Sequence, residues 1–244
     1  MSSLTESRLP LNKEPEKIAG MFNKIASRYD MLNHLLSAGL DRRWRRTAVR
    51  QLDLNTDSVA LDLCTGTADL ARELVRNRGQ GVQVVGVDFS AEMLCLAHSK
   101  IRKFRIESLV RLIRGDAEHI PLGDFSVDGV SVGFGVRNIL NPECALKEVY
   151  RVLRPGGRLV ILEFGEPKIP LIRYLYLWYF RNVLPLIGSL VSRDNTAYSY
   201  LPASVGTFHS PEKFCEMLKV AGFTNVQVNP LSFGIVYMFS ASRS

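Results

Sequence analysis

A strand, a tight turn and the start of a helix follow one another between Val59 and Leu70, in the run VALDLCTGTADL. The next apolar run, VQVVGVDFS, carries Asp88 near its end. Two apolar strands separated by one helix of this length are typical of a parallel βαβ unit. Such units place their ligand at the carboxyl ends of the strands. The pattern therefore predicts an α/β fold with a binding site around this turn and Asp88.

The residues of the turn limit what it can hold. Gly66 permits a positive φ and close approach of a ligand. The small side chains of Thr65, Thr67 and Ala68 also leave space above the turn. Asp88 can accept hydrogen bonds from both hydroxyls of a ribose. The segment lacks the G-x-G-x-x-G and G-K-[ST] patterns that bind phosphates. A nucleoside without phosphates is expected, and S-adenosylmethionine fits; a turn without any ligand is the alternative.

Strands and helices alternate through the rest of the chain. This predicts a Rossmann-like, doubly wound, mostly parallel sheet with a terminal antiparallel hairpin, N-terminal helices and a helical insertion after the fifth strand. Pro155, Gly156 and Gly157 predict a turn, and Gly222 a helix end. The further predicted strands are 109–114, 129–133, 158–164, 225–231 and 235–242, and the helices are 91–104, 142–153 and 210–223.

The N-terminal part divides into a polar lead-in, 1–20, and the start of a single domain, 21–244. Apolar residues from Phe22 to Leu36 recur at helical spacing, and a further helix reaches about Leu52. Its run RRWRR, 42–46, is compatible with a nucleic-acid patch, but a helix with Trp44 in the core and the arginines in water is favoured.

Composition narrows the class of protein. The chain has 244 residues and a net charge of +7, which favours an anionic partner without identifying it. Its four cysteines lack C-x-x-C or histidine partners at metal spacing, so they predict no metal site and mostly buried, reduced thiols in the cytoplasm. The N-terminus has no apolar segment of the secretory type.

Together, several motifs resemble the class I S-adenosylmethionine-dependent methyltransferases, and more narrowly the C-methyltransferases of menaquinone and ubiquinone biosynthesis. The resemblance extends from about Met21 to Tyr237. The motifs are MFNKIASRYDMLNHLLSAGLDRRWRR, LDLCTGTADLA, VDFSAEML, GDAEHIPLGDFSVD, GFGVRNI, VYRVLRPGGRLVILEF and AYSYLPASV.

The resemblance implies the residues of the cofactor site. In it, Gly66 and Thr67 line the methionine end of S-adenosylmethionine, and Asp88 holds the ribose. Asp116 and Ala117 face the adenine, as a carboxylate can accept from the exocyclic amine while a backbone N–H donates to the ring. A backbone contact is expected of Gly133, where the family commonly has Ser. The sequence departs from the pattern of the wider superfamily at Cys64 and Ala68, which replace two glycines that are usual there.

The implied reaction is methyl transfer to a ring carbon of a polyprenylated quinol, either demethylmenaquinol, the ubiquinone precursor or both. Arg137 and Asn138 are the candidates for stabilising the developing phenolate. Arg137 could instead activate a base through water or anchor a loop. His209 has a suitable pKa for a base, but a surface loop is favoured for it. Further family positions that could shape the acceptor pocket, or simply pack, are Tyr29, Asp30, Asn33, Tyr198 and Tyr200.

An apolar and aromatic stretch lies within the insertion, 165–210, which is expected to cover the acceptor. Its two arginines and Pro185 argue against a membrane span. A helix at an anionic membrane surface, peripheral to the inner face, and a lid packed on the sheet or on a second subunit of a homodimer are both compatible. No nucleic-acid partner is expected, but methylation of another small molecule or RNA, and a non-catalytic cofactor-binding module, are the alternative functions.

Overall fold

The computed structural model describes residues 16–18, 20, 23, 37, 39–78, 81–183 and 196–244. In this part of the chain, strands and helices alternate along most of the sequence. The strands are β1 (Val59–Leu63), β2 (Gln83–Asp88), β3 (Val110–Arg114), β4 (Val127–Gly133), β5 (Leu153–Phe164), β6 (Thr224–Leu231) and β7 (Val236–Ser242). The helices are α1 (Leu40–Gln51), α2 (Asp69–Arg78), α3 (Ala91–Lys103), α4 (Pro142–Val152), α5 (Pro170–Trp178), α6 (Thr196–Thr207) and α7 (Pro211–Val220).

The strands form one sheet in the order β3-β2-β1-β4-β5-β7-β6. The first five pair in parallel, and β7 runs antiparallel to both β5 and β6. The predicted parallel sheet with a terminal antiparallel hairpin is therefore confirmed. Because β1, β2 and β4 are parallel neighbours, their carboxyl ends meet at one edge of the sheet, where the turn after β1 lies.

Apolar side chains cover both faces of the sheet. On one face, α4 and α7 pack on alternate strand residues such as Leu61 and Ile161. On the other, α1, α2 and α3 pack on residues such as Ala60 and Leu162. Successive strand residues point to opposite faces, so a strand covered on both sides reads as a continuous apolar run.

Helix α1 confirms most of the interpretation of the RRWRR run. Trp44 is 4% exposed in the core, and its Nε1 donates to Ser232 Oγ at 2.9 Å. Arg42, Arg43 and Arg46 are exposed. Arg45 was expected in water as well, but this was wrong. It is buried against Asp41, since two carboxylates compensate the loss of its hydration.

The predicted turn at Pro155 to Gly157 lies inside β5, so its assignment was wrong in part. From Val127 to Gly129, β4 advances two residues, while β5 advances five, from Leu153 to Arg158. The extra residues form a bulge in which Gly156 takes a φ of 79°. Turn residues thus interrupt the pairing without ending the strand. The end of α7 before Gly222 is confirmed.

Within the insertion, α5 continues into a π-helical turn, Tyr179–Val183, and α6 follows after the undescribed residues 184–195. No described helix combines the length and apolarity needed to cross a membrane. The predicted N-terminal helical stretch from Phe22 to Leu36 lies almost entirely outside the described residues. All four cysteines are free, but Cys95 and Cys144 are exposed, so the expectation of mostly buried thiols was wrong. Both lie on outer positions of helices.

Candidate active site

A cleft opens where the carboxyl ends of β1, β2 and β4 meet. It encloses about 830 Å³ of empty space, part of it open to solvent, which is the size range of small-molecule sites. Five of the predicted cofactor residues line it: Gly66, Asp88, Asp116, Ala117 and Gly133. Asn138 lines it too, so the structure brings these five cofactor candidates and one of the two catalytic candidates to one space.

The turn after β1 takes an unusual backbone path. Cys64, Gly66 and Ala68 have φ values of 56°, 55° and 65°. Only glycine enters this left-handed region without cost, which is about 1 kcal/mol or more for other residues. Apart from its two chain neighbours, no described residue has an atom within 4 Å of a Cβ built on Gly66, so this position is open toward the cleft. The path turns the backbone sharply, and this leaves room for a ligand close to the main chain.

A buried carboxylate below the turn holds this path. Asp62 accepts hydrogen bonds from Thr65 Oγ1 at 2.6 Å, from the Ala71 N–H at 3.1 Å and from Ser131 Oγ at 2.9 Å. It is 1% exposed, and burial raises its pKa to about 6. Sequence reasoning missed Asp62, although it is the one charged residue of the strand VALDL.

Asp88 joins the turn to the second strand. One carboxylate oxygen accepts from the Gly66 N–H at 2.8 Å, and the other accepts from the Ser90 N–H at 2.9 Å. Burial raises its pKa. Each carboxylate oxygen can accept more than one hydrogen bond, so both can still receive a ribose hydroxyl from the cleft. The geometry therefore fits a nucleoside whose sugar lies over Gly66.

The side chain of Thr67 does not line the cleft. Its hydroxyl accepts from Lys100 Nζ at 2.8 Å, and the same ammonium group lies 2.7 Å from Asp69. Arg45 reaches Asp69 from α1 at 3.5 Å. Lys100 and Arg45, which sequence reasoning did not select, thereby tie the turn to α3 and α1. The predicted contact between Thr67 and the cofactor stays a prediction.

At the adenine end, Asp116 and Ala117 follow β3. Asp116 Oδ1 accepts from the Glu118 N–H at 2.9 Å, and its carbonyl accepts from the His119 N–H at 3.1 Å. These bonds form a tight turn that presents backbone and carboxylate to the cleft. Glu118 also lines it, and its carboxylate accepts from the side chain of Asn141 at 2.7 Å.

Arg137 and Asn138 form a short 3₁₀ turn, Val136–Asn138, but they face different surroundings. Arg137 is 4% exposed and does not line the cleft. Its Nη1 donates to Glu163 Oε1 at 2.7 Å and also to the Phe134 carbonyl. Asn138 reaches the cleft, and its Oδ1 accepts from Tyr200 Oη at 3.0 Å. Glu163 is a further residue that sequence reasoning missed.

The remaining candidate residues lie either away from the cleft or outside the described part of the chain. His209 is exposed in the loop between α6 and α7, which confirms the surface-loop interpretation. Tyr29, Asp30 and Asn33 lie outside the described residues, as does the side chain of Tyr198. In the described ranges, no group of three or more His, Cys, Asp or Glu side chains is arranged to hold a metal ion.

Comparisons with known proteins agree with this geometry. A model described as the ubiE/COQ5 methyltransferase family matches residues 11–243. The ubiquinone/menaquinone biosynthesis C-methyltransferase UbiE of Geotalea daltonii is 41% identical over 96% of this chain and 99% of its own. The demethylmenaquinone methyltransferase of Thermus thermophilus is 44% identical over 91% of this chain and 100% of its own. A SAM-dependent methyltransferase from Aquifex aeolicus has the same fold, with a TM-score of 0.62 at 18% identity, covering 95% of this chain and 99% of its own.

Proposed function

Because the chain belongs to the ubiE/COQ5 methyltransferase family, we propose that it transfers a methyl group from S-adenosylmethionine to a ring carbon of a polyprenylated quinol. The observation that carries this proposal is the shared cleft: the carboxylate of Asp88, which offers acceptors for a ribose, and the amide of Asn138 line the same space. The acceptor is demethylmenaquinol, the corresponding ubiquinone precursor, or both, as the names of the two relatives imply for those proteins.

The cleft fits S-adenosylmethionine better than a phosphorylated nucleotide. Gly66 leaves room for the ligand beside the main chain, and Asp88 offers acceptors for the ribose. Asp116 and Ala117 would hold the adenine. Among the described residues, the lining contains carboxylates and no lysine or arginine, so it favours a cation over phosphates. When bound, the cofactor supplies an electrophilic methyl group on a sulfonium.

The protein itself aligns the acceptor and stabilises its oxygen. As the quinol hydroxyl loses its proton, negative charge develops on the oxygen and the adjacent ring carbon becomes nucleophilic. Asn138 can donate to that oxygen from the cleft wall, and the buried apolar residues Phe134 and Ile139 beside it exclude water. Arg137 contributes through its ion pair with Glu163, which fixes the turn that carries Asn138.

Transfer of a labelled methyl group tests the function directly. The chain is incubated with labelled S-adenosylmethionine and either a membrane quinone extract or total RNA. We expect label in the quinone fraction, at the mass of one added methyl group. Label in RNA alone would replace the proposal with the nucleic-acid alternative, and binding of the cofactor without transfer to either would favour the non-catalytic module.

The surface of α5 supports a peripheral contact with an anionic membrane at the inner, cytoplasmic face. Leu171, Tyr174, Leu175 and Trp178 are each at least 50% exposed and lie three and four residues apart, so they form one stripe, here called the α5 stripe. An apolar stripe that faces outward, with two tyrosine or tryptophan rings, suits a bilayer interface. The overall charge of +7 favours anionic headgroups. A polyprenylated acceptor would reach the cleft from the same bilayer.

Flotation with liposomes tests this contact. Changing Leu171 and Trp178 to Ser should weaken binding to vesicles containing acidic lipids by about 100-fold, because each buried apolar side chain contributes ~1.5 kcal/mol. Val220→Ser with Phe233→Ser is the matched control, since both are exposed apolar residues elsewhere. Equal retention of both variants would contradict the contact. If the wild type were a dimer in solution and only the α5 stripe variant were monomeric, the α5 stripe would contact a second copy of the chain and not a membrane.

A further inference from the structure

The turn Val136–Asn138 is held from two sides. From below, Glu163 of β5 accepts from the backbone N–H of Arg137 at 3.1 Å and from its guanidinium at 2.7 Å. From above, α6 supplies Ser204, whose hydroxyl accepts from Arg137 Nε at 3.3 Å, and Tyr200, whose hydroxyl donates to Asn138 at 3.0 Å. The insertion that follows the fifth strand is thereby bonded to the wall of the cleft.

The bond from Tyr200 fixes more than the position of Asn138. A side-chain amide has an oxygen that accepts and an NH₂ group that donates, about 120° apart on one planar carbon. Once Oδ1 accepts from Tyr200, the direction of Nδ2 is set. Nδ2 makes no hydrogen bond among the described residues, and Asn138 lines the cleft.

We propose that Tyr200 is a positioning residue for the acceptor: its hydroxyl binds Asn138 Oδ1 and so directs the amide NH₂ of Asn138 to the quinol oxygen. This inference rests on the proposed function and names how the acceptor site is oriented. Tyr200 suits the role because its phenol is half-buried, and burial raises its pKa, so that the hydroxyl stays a donor at neutral pH.

The chemistry explains why orientation matters. If the amide were rotated by 180°, its carbonyl oxygen would face the developing negative charge on the quinol oxygen and oppose it. A fixed donor at an oxyanion typically contributes 10²- to 10³-fold to the rate. Loss of the group that orients the donor should cost less, because the amide still points correctly part of the time.

Three variants test the role in single turnover with a short-tailed demethylmenaquinol. Asn138→Ala should slow methyl transfer about 100-fold, and Tyr200→Phe about tenfold. The double variant should be no slower than Asn138→Ala alone, because without the amide there is nothing to orient. Tyr150→Phe is the matched control and should equal the wild type, since Tyr150 lies on α4 against Phe223. Cofactor affinity and thermal melting should be unchanged in Tyr200→Phe.

The pH profile separates orientation from a structural role. Without an oriented donor, the bound quinol hydroxyl is harder to ionise. The rising limb of the plot of rate against pH should therefore move upward by about one pH unit in Tyr200→Phe. Additive losses, an unmoved pH profile or full activity of Tyr200→Phe would each overturn the inference. Absence of transfer to any quinol by the wild type would instead overturn the proposed function.

Discussion

Asp88 has two sets of partners, one in the protein and one expected in the ligand. Its two oxygens accept from the N–H groups of Gly66 and Ser90, which fixes the carboxylate against the cleft. A charged acceptor held in this way needs no rearrangement when a ribose arrives. Binding should therefore depend on the charge and on both oxygens.

Changing Asp88 to Asn should weaken S-adenosylmethionine binding by about 10- to 100-fold, because one oxygen becomes an NH₂ group that faces backbone donors. Titration calorimetry measures the affinity. Asp124→Asn is the matched control, since Asp124 is an exposed carboxylate paired with Arg151 away from the cleft. An unchanged affinity in Asp88→Asn would remove Asp88 from the cofactor site.

The sequence predicted the residue types of the cleft better than their conformations. Gly66 and Asp88 could be selected because each lies at the end of an apolar strand, and parallel strands bring such positions together, whereas Asp116 was selected through the family resemblance. The positive φ values of Cys64 and Ala68 are favoured by neither residue, and the only signal for them was that both stand where the wider superfamily usually has glycine. Asp62 escaped notice because its bond to Ser131 depends on β4, a neighbouring strand far along the chain.

The 3₁₀ turn Val136–Asn138 depends on a buried ion pair. Glu163 is fully buried, and Arg137 is 4% exposed. A buried pair contributes little compared with an apolar pair, yet removing one partner leaves a charge without compensation. The turn, and with it the acceptor wall, should be sensitive to this one carboxylate.

We expect Glu163→Gln to lower the free energy of unfolding by about 3 kcal/mol, measured by urea denaturation. The exposed pair of Glu212 and Lys168 provides the control, and Glu212→Gln should leave stability unchanged. If both variants were equally stable, the ion pair would not be what holds the turn.

Helices and strands were predictable where apolar residues recurred with a clear period. They were less predictable where a residue's contacts come from elements distant in the sequence. The strands from β1 to β4 followed from their apolar runs. The bulge at Gly156 did not, because Pro and Gly mark turns in most contexts. The burial of Arg45 depends on Asp69, which belongs to another helix. Tertiary contacts of this kind leave no periodic signal.

Across the whole molecule, Asp62 makes stability depend on pH. Its pKa is raised from 3.8 to about 6 by burial, so the folded state binds a proton more tightly than the unfolded state. The stabilisation of the folded state by Asp62 is therefore fully present below pH 4 and is lost as pH rises through about 6. Stability should fall over this window by up to ~3 kcal/mol from this group.

Asp62→Asn should remove this fall. The Asn oxygen can accept from Thr65 and Ala71, and its NH₂ group can donate to Ser131, so the isosteric amide keeps the bonds. Urea denaturation of both proteins between pH 4 and 7 measures the difference. Parallel curves for the two proteins would show that Asp62 does not titrate in this window.

The carboxylates of Asp88, Asp116 and Glu118 all line a cleft in a chain whose net charge is positive. S-adenosylmethionine and S-adenosylhomocysteine share every ring and polar group, but the product has lost the sulfonium charge with its methyl group. An acidic wall attracts the charged form more strongly than the neutral one, while its hydrogen bonds to the shared ribose and adenine would be the same for both. If these residues hold the cofactor as proposed, their charge favours the donor over its product and should lower product inhibition.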